Sequence, residues 1–404
     1  MSAKDTIDLP RLRAFWADRQ GLLHLDPKRT PAGVLEETGW ARSVGGVAPY
    51  LTLFARAGIG RARADKAAAD LEIYELPSAR GCTYVIPRRD FPLALAAASL
   101  GGDDPEIKAA KKHLGLTDAE LDRLSQGVLR ALERGALDPA GLKEVLGDAV
   151  RNLGAEGKKR GVTTTLPLAL GHLQRRGEIR RQPVSGRLDE QRYAYVRWSP
   201  SPLAGAALTP GDAAVLLARR YFEWIGVASA ANFQWFSGLG VKAAKAALEP
   251  LELEPIAEGS PLLGRAAEVA ALRAFKAPKD PVYRLVAGID GLVLLRRSIG
   301  DHLEPADQKR KVAGDRGVAE LGGLQDLTSH AIVDRGRIVG LWEFEPSSGT
   351  IAWASFGKAN AALKEEVART ERFIQDELGD ARSFSLDSPE RRQPRIDALR
   401  AYKG

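Results

Sequence analysis

Cysteine and histidine are scarce in this chain of 404 residues: one cysteine, Cys82, and five histidines. A lone cysteine excludes an internal disulfide framework and a thiolate zinc cluster, and the scattered histidines form no HExxH-type pair. Metal catalysis is therefore disfavoured, and neither a metal nor another cofactor is expected. No run approaches the roughly 20 apolar residues that a membrane helix needs, and the opening MSAKDTIDLPRLRAFW lacks the apolar segment of a secretory signal. A cytoplasmic protein without a membrane partner is the expectation. Walker loops, dinucleotide fingerprints and nucleophile elbows are also missing from the contexts in which they work, so no motif supports a small-molecule enzyme.

What is present is a concentration of positive charge. The whole chain carries +7, and the stretch Arg151 to Arg197 holds eleven basic and four acidic residues, which accounts for all of it. Most of these cations are arginines, whose guanidinium forks suit phosphate oxygens. Charge alone leaves two readings open, a phosphate-binding surface and a solvated basic face.

Periodicity divides the chain into an α+β arrangement of repeated helix-then-hairpin units, the element order of a winged helix. Residues 1–100 read as a first module: apolar spacings of three and four over Arg11–Gln20, Pro31–Thr38, Pro49–Ala57 and Arg63–Leu71, then β-formers from Ile73 to Ile86 around Pro77 and Gly81. Residues 101–200 repeat the order. Thr117 and Glu120 form a capping-box pattern, Asp138 starts a helix ending near Leu153, Thr163–Arg176 gives a third, and a strand–turn–strand follows from Glu178 to Trp198. Thr163, Thr164 and Thr165 at a helix start suit both capping and phosphate contact, while Arg175, Arg176, Arg180, Arg181 and Arg187 suit a DNA backbone or minor groove. Residues 201–275 give a third round, with helices over Thr209–Trp224, Ser229–Phe236 and Val241–Leu248. Its Gly238-Leu239-Gly240 turn beside Lys242 fits either a phosphate grip or a tight interhelical turn. Residues 276–404 read as a small β-rich part: strands at Val282–Val286 and Gly291–Leu295, a meander over His330–Val333, Ile338–Phe344 and Thr350–Phe356, and a closing helix at Asn360–Leu378. Gly300–Gly323 reads as a mobile loop and the tail from Asp387 as loosely held.

Arg19-Gln20-Gly21-Leu22, the Gly39-Trp40 helix end, Arg80-Gly81-Cys82-Thr83-Tyr84-Val85-Ile86-Pro87, Trp235-Phe236-Ser237-Gly238-Leu239 and Ile332-Val333-Asp334-Arg335-Gly336-Arg337-Ile338-Val339-Gly340-Leu341-Trp342 occur in an order and spacing that resemble the winged-helix AlkZ/YcaQ-type family through nearly the whole chain. The resemblance implies three tandem winged helices and a small β-rich part around a concave basic surface for duplex DNA. It also implies hydrolysis of the N-glycosidic bond of bulky alkylated bases and unhooking of interstrand crosslinks, with a hairpin near the DNA groove that corresponds here to His330–Phe344 and brings Arg335 and Arg337. A monomer associated with the nucleoid is the corresponding expectation.

One departure is plain. The family carries Gln, an apolar residue, then Gln or Asp after the glycine matching Gly39, to hold water and steady the sugar cation; this chain has Arg42-Ser43-Val44. Arginine stays protonated at neutral pH and valine orients no water. Asp290, matching an aspartate that recurs in the family after an apolar strand, His330 and Ser43 are the candidate catalytic residues, with Asp301 and His302 close by. Arg42 with Ser43 also suits a phosphate at the lesion. A regulator or damage sensor that binds DNA without hydrolysing it is the alternative.

Overall fold

The computed structural model describes residues 7–102, 104–205, 208–314 and 317–402. The first unit begins with helices Leu9–Arg19, Pro31–Thr38, Ala48–Ala57 and Arg61–Ala69. Asp8 and Thr30 cap the first two by accepting from Arg11 and Gly33 backbone N–H groups, and Gly58, at φ +62°, ends the third. Strands Ile73–Pro77 and Thr83–Pro87 then pair antiparallel, Tyr74 opposite Ile86. A two-residue strand, Ala41–Arg42, adds to the other side of Thr83–Pro87 with Arg42 opposite Tyr84. That strand is too short to carry a period-two pattern, yet it fixes the faces of the residues that follow Gly39.

The middle unit contains helices Pro105–Leu114, Asp118–Ala131, Pro139–Leu146, Gly154–Lys159 and Leu166–Arg175, then the hairpin Ile179–Pro183/Tyr193–Arg197. It has its own core, including Leu121, Leu124, Val128, Leu142, Leu170 and Leu173. The helix expected to run from Asp138 to Leu153 stops at Leu146, where Gly147 takes φ +51°. Thr117 caps as expected, but Glu120 turns away from the cap to pair with Arg151.

The third unit has helices Pro210–Ile225, Ala230–Ser237, Val241–Leu248 and Ala266–Ala274 and a sheet ordered Val227–Ser229, Leu262–Gly264, Glu254–Pro255. It shares one core with the first unit and the carboxyl-terminal sheet: Trp16, Trp40, Trp224, Phe236, Val286 and Ala331 belong to the same cluster.

The last part is a four-stranded antiparallel sheet ordered Thr350–Ser355, Arg337–Glu345, His330–Asp334, Tyr283–Val286. Three expectations are corrected here. Gly291–Leu294 is a short helix, because Asp290 accepts from the Leu292 N–H at 2.9 Å and starts a turn rather than a strand. The supposed loop Gly300–Gly323 contains the paired strands Lys311–Gly314 and Gly317–Glu320, with residues 315 and 316 outside the described ones. The tail contains helix Pro389–Ala401, tied to the sheet by Arg395 on Glu343 and to the segment preceding the helix by Arg395 on Asp387 and Arg392 on Asp380.

Candidate nucleic-acid interface

Because strand residues alternate faces, Arg42 and Ser43 point to opposite sides of the first sheet. Arg42 lies against the Tyr84 ring, 5.3 Å from guanidinium carbon to centroid, and donates to the Thr83 carbonyl at 2.7 Å. Burial pushes the Tyr84 hydroxyl above its ordinary pKa, while Arg42 and Arg80 act in the other direction, so both guanidinium groups are within electrostatic reach of that hydroxyl. At the hairpin tip, Arg80 holds φ +60° and rests 3.9 Å from the Trp235 ring centre. Arg297, at φ +51°, lies 4.9 Å from the same ring. Non-glycine residues rarely adopt this left-handed region, and here two arginines do so against one indole.

The turn after Trp235 completes this surface. Gly238 has φ +74°, and a Cβ there would come within 2.8 Å of Arg80 Cγ, so glycine is required both by the backbone and by the neighbour. Helix Val241–Leu248 follows with Ala244, Ala247 and Leu248 packed inward and Val241, Lys242 and Lys245 outward; Val241 is 72% exposed.

On the opposite face, Ser43 Oγ donates to Glu75 Oε1 at 2.7 Å, and Arg181 Nη2 donates to Glu75 Oε2 at 2.7 Å. Arg180 donates to the Tyr74 hydroxyl at 2.9 Å, which itself donates to the Arg181 carbonyl. Arg187 forms two 2.8 Å bonds with Asp189. Gln191 Nε2 reaches the Gly45 carbonyl at 3.0 Å, and the Leu188 N–H donates to the Tyr50 hydroxyl at 2.7 Å. The middle hairpin is thus fastened to the first unit by Arg180 and Arg181, two of the arginines expected to face DNA, while Arg187 is held within the hairpin turn. Arg175 pairs with Asp104 and Arg176 with Glu178. Thr163 is exposed, Thr164 forms an isolated bridge with Asn152, and buried Thr165 accepts from the Arg151 N–H at 3.1 Å. Arg335 grips Asp334 with two 2.9 Å bonds, and Arg337 lies 3.9 Å from Glu304.

Each candidate catalytic residue is engaged by other groups, Ser43 by Glu75 as above. Asp290 is 1% exposed and doubly bonded to Arg56. His330 accepts from the Gly288 N–H at 3.0 Å and bonds the Ala381 carbonyl at 2.8 Å, which uses both ring nitrogens, and burial lowers its pKa. His302 is held between Gly336 and Arg296, its pKa lowered to about 3 by burial and by Arg296. Among the described residues, no three or more His, Cys, Asp or Glu side chains gather as metal ligands, and no helix is long and apolar enough to cross a membrane.

The family model described as DNA glycosylase AlkZ-like matches residues 18–373. The chain belongs to the AlkZ-like DNA glycosylase family. Among solved structures, Streptomyces sahachiroi DNA glycosylase AlkZ is similar at 18% identity, over 91% of this chain and 96% of that one, with a TM-score of 0.69, a likeness of fold. No curated protein sequence matches.

Within this AlkZ-like chain, the stretch after Gly39 bears the Arg42 guanidinium on an aromatic ring, and that side chain offers no acceptor. Sequence reasoning did not single out Arg80, Trp235 and Arg297, which the fold brings together at this candidate interface. The first two lie inside stretches that carry the family resemblance, and only folding shows that they touch.

Proposed function

We propose that this protein binds duplex DNA and acts in the repair of alkylated or interstrand-crosslinked bases by hydrolysing their N-glycosidic bond. The observation that carries this reading is the family match over residues 18–373, which spans the helical units and the sheet together. The cationic first-hairpin tip and the exposed Lys242 and Lys245 supply the charge that a phosphate backbone requires. A single-turnover incubation of excess protein with a duplex bearing 7-methylguanine tests it. Heat- or alkali-labile abasic sites are expected, and an intact strand at every protein excess contradicts hydrolysis.

A second reading is favoured by one specific observation. Arg42 stands against Tyr84 where hydrolysis calls for an acceptor beside a developing oxocarbenium ion, and a fixed positive charge there opposes the positive transition state. Binding of damaged duplex without base release follows from it. The same incubation, read by anisotropy and by abasic-site formation, separates the two.

A further inference from the structure

The cations of this molecule fall into two populations. Arg175, Arg181, Arg187 and Arg335 each meet a carboxylate. Among the described residues, no carboxylate pairs with Arg42, Arg80, Lys242 or Lys245. The hairpin arginines of the middle unit are engaged, Arg180 by the Tyr74 hydroxyl and Arg181 and Arg187 by carboxylates, whereas Arg80 on the first-hairpin tip and Lys242 and Lys245 on the third unit are not neutralised by a carboxylate. A cation already paired with a carboxylate has less to offer a phosphate, since the incoming phosphate must compete with that carboxylate.

The unpaired set is also organised. Helix Ala230–Ser237, the Gly238-Leu239-Gly240 turn and helix Val241–Leu248 form a helix–turn–helix whose second helix is exposed along one side. In such units the second helix enters the major groove, where an apolar side chain meets a thymine methyl and lysine meets base or phosphate oxygens. The corresponding helix of the middle unit, Leu166–Arg175, offers little by comparison: Leu166, Leu168, Ala169, Leu170 and Leu173 are buried. Arg80 sits against the turn at Gly238 and, with Arg297, against Trp235, so the first hairpin tip borders the start of the exposed helix. An arginine resting on an indole keeps its N–H donors available for a phosphate while its face is occupied.

We propose that the duplex lies across the third unit and the first hairpin tip, with Val241, Lys242 and Lys245 at the groove and Arg80 on a flanking phosphate, while Arg297, paired with Asp326 at 2.8 Å, holds the other side of Trp235; the middle hairpin is a structural brace. This inference rests on the reading that duplex DNA is the partner, and it specifies which surface meets it.

The test is the salt dependence of binding to a fluorescein-labelled 20-base-pair duplex, for the full chain and two variants with matched thermal melts. Lys242→Ala/Lys245→Ala changes exposed side chains only. Arg80→Asn removes the cation with a residue that tolerates left-handed backbone. Each variant is expected to weaken binding roughly tenfold near 0.1 M salt, and to flatten the slope of log affinity against log salt by about 0.9 for each phosphate that is no longer neutralised. Wild-type binding with a steep slope that both variants retain overturns the inference and leaves the function reading intact. A wild-type chain that does not bind the duplex at low salt overturns both.

Discussion

Arg56 and Asp290, 234 residues apart, form a two-pronged ion pair in which each of two guanidinium nitrogens lies 2.8 Å from a different carboxylate oxygen. Their side chains are 1% and 0% exposed. The pair joins helix Ala48–Ala57 to the turn that starts the short helix Gly291–Leu294, and Gln20 adds its side-chain oxygen to Arg56 at 3.2 Å. A carboxylate so enclosed holds the first unit to the carboxyl-terminal sheet.

Asp290→Ala is therefore expected to act on stability. Removing one partner strands a buried charge, which costs about 3–5 kcal/mol. Urea denaturation of wild type and variant measures it. A variant of unchanged stability but abolished base release would return Asp290 to a catalytic role.

His302 makes stability fall with acid. Its folded pKa is lowered from 6.5 to about 3, so the folded state keeps it neutral while the unfolded state takes up a proton. Its contribution is complete above pH 6.5 and is lost as pH falls towards about 3, at about 1.4 kcal/mol per pH unit inside that window. His330, lowered by burial in the same direction, adds to the loss. Denaturation at pH 7.5 and 5.5 is expected to show reduced stability at the lower pH, and His302→Asn to flatten that dependence. Identical pH profiles for variant and wild type would remove His302 from the explanation.

Glu75 is expected to control the middle hairpin. Glu75→Gln weakens its bonds to Arg181 and Ser43, at a cost of about 1–3 kcal/mol. Amide exchange in Ile179–Pro183 and Tyr193–Arg197 should quicken relative to the core helix Pro210–Ile225. Exchange that quickens equally in both would point to global destabilisation instead.

Arg42→Gln with Val44→Asp introduces the acceptors that the sequence resemblance implies at these two positions. General acid–base groups contribute about 10²–10⁴-fold, so a rise of tenfold or more in abasic-site formation from a 7-methylguanine duplex is expected. No gain at undiminished DNA affinity would mean that the missing acceptors do not limit the reaction.

Much of the fold was legible in local pattern. Val241–Leu248 has the bounds its periodicity implies, and the hairpin over Ile179–Pro183 and Tyr193–Arg197 follows from its turn and β-formers. Helix Pro389–Ala401 was not, because it is rich in charge and its arginines find Asp380, Glu343 and Asp387 only after folding. The engagement of the basic stretch was hidden for a related reason. Charge density along the chain points to Arg180, Arg181 and Arg187, but Glu75, which neutralises Arg181, is 106 residues away. Conversely, Arg80, Trp235 and Arg297 lie far apart in sequence and carry no shared motif. Their meeting depends on how the first and third units pack into one core.

The most direct measurement is the affinity of the intact protein for a duplex over a series of salt concentrations. Log affinity is expected to fall linearly with log salt, by about 0.9 for each phosphate engaged, and to be higher for an alkylated duplex than for its undamaged twin. Affinity indifferent to salt, or a duplex left unbound at low salt, would contradict the assignment of DNA as the partner of this chain.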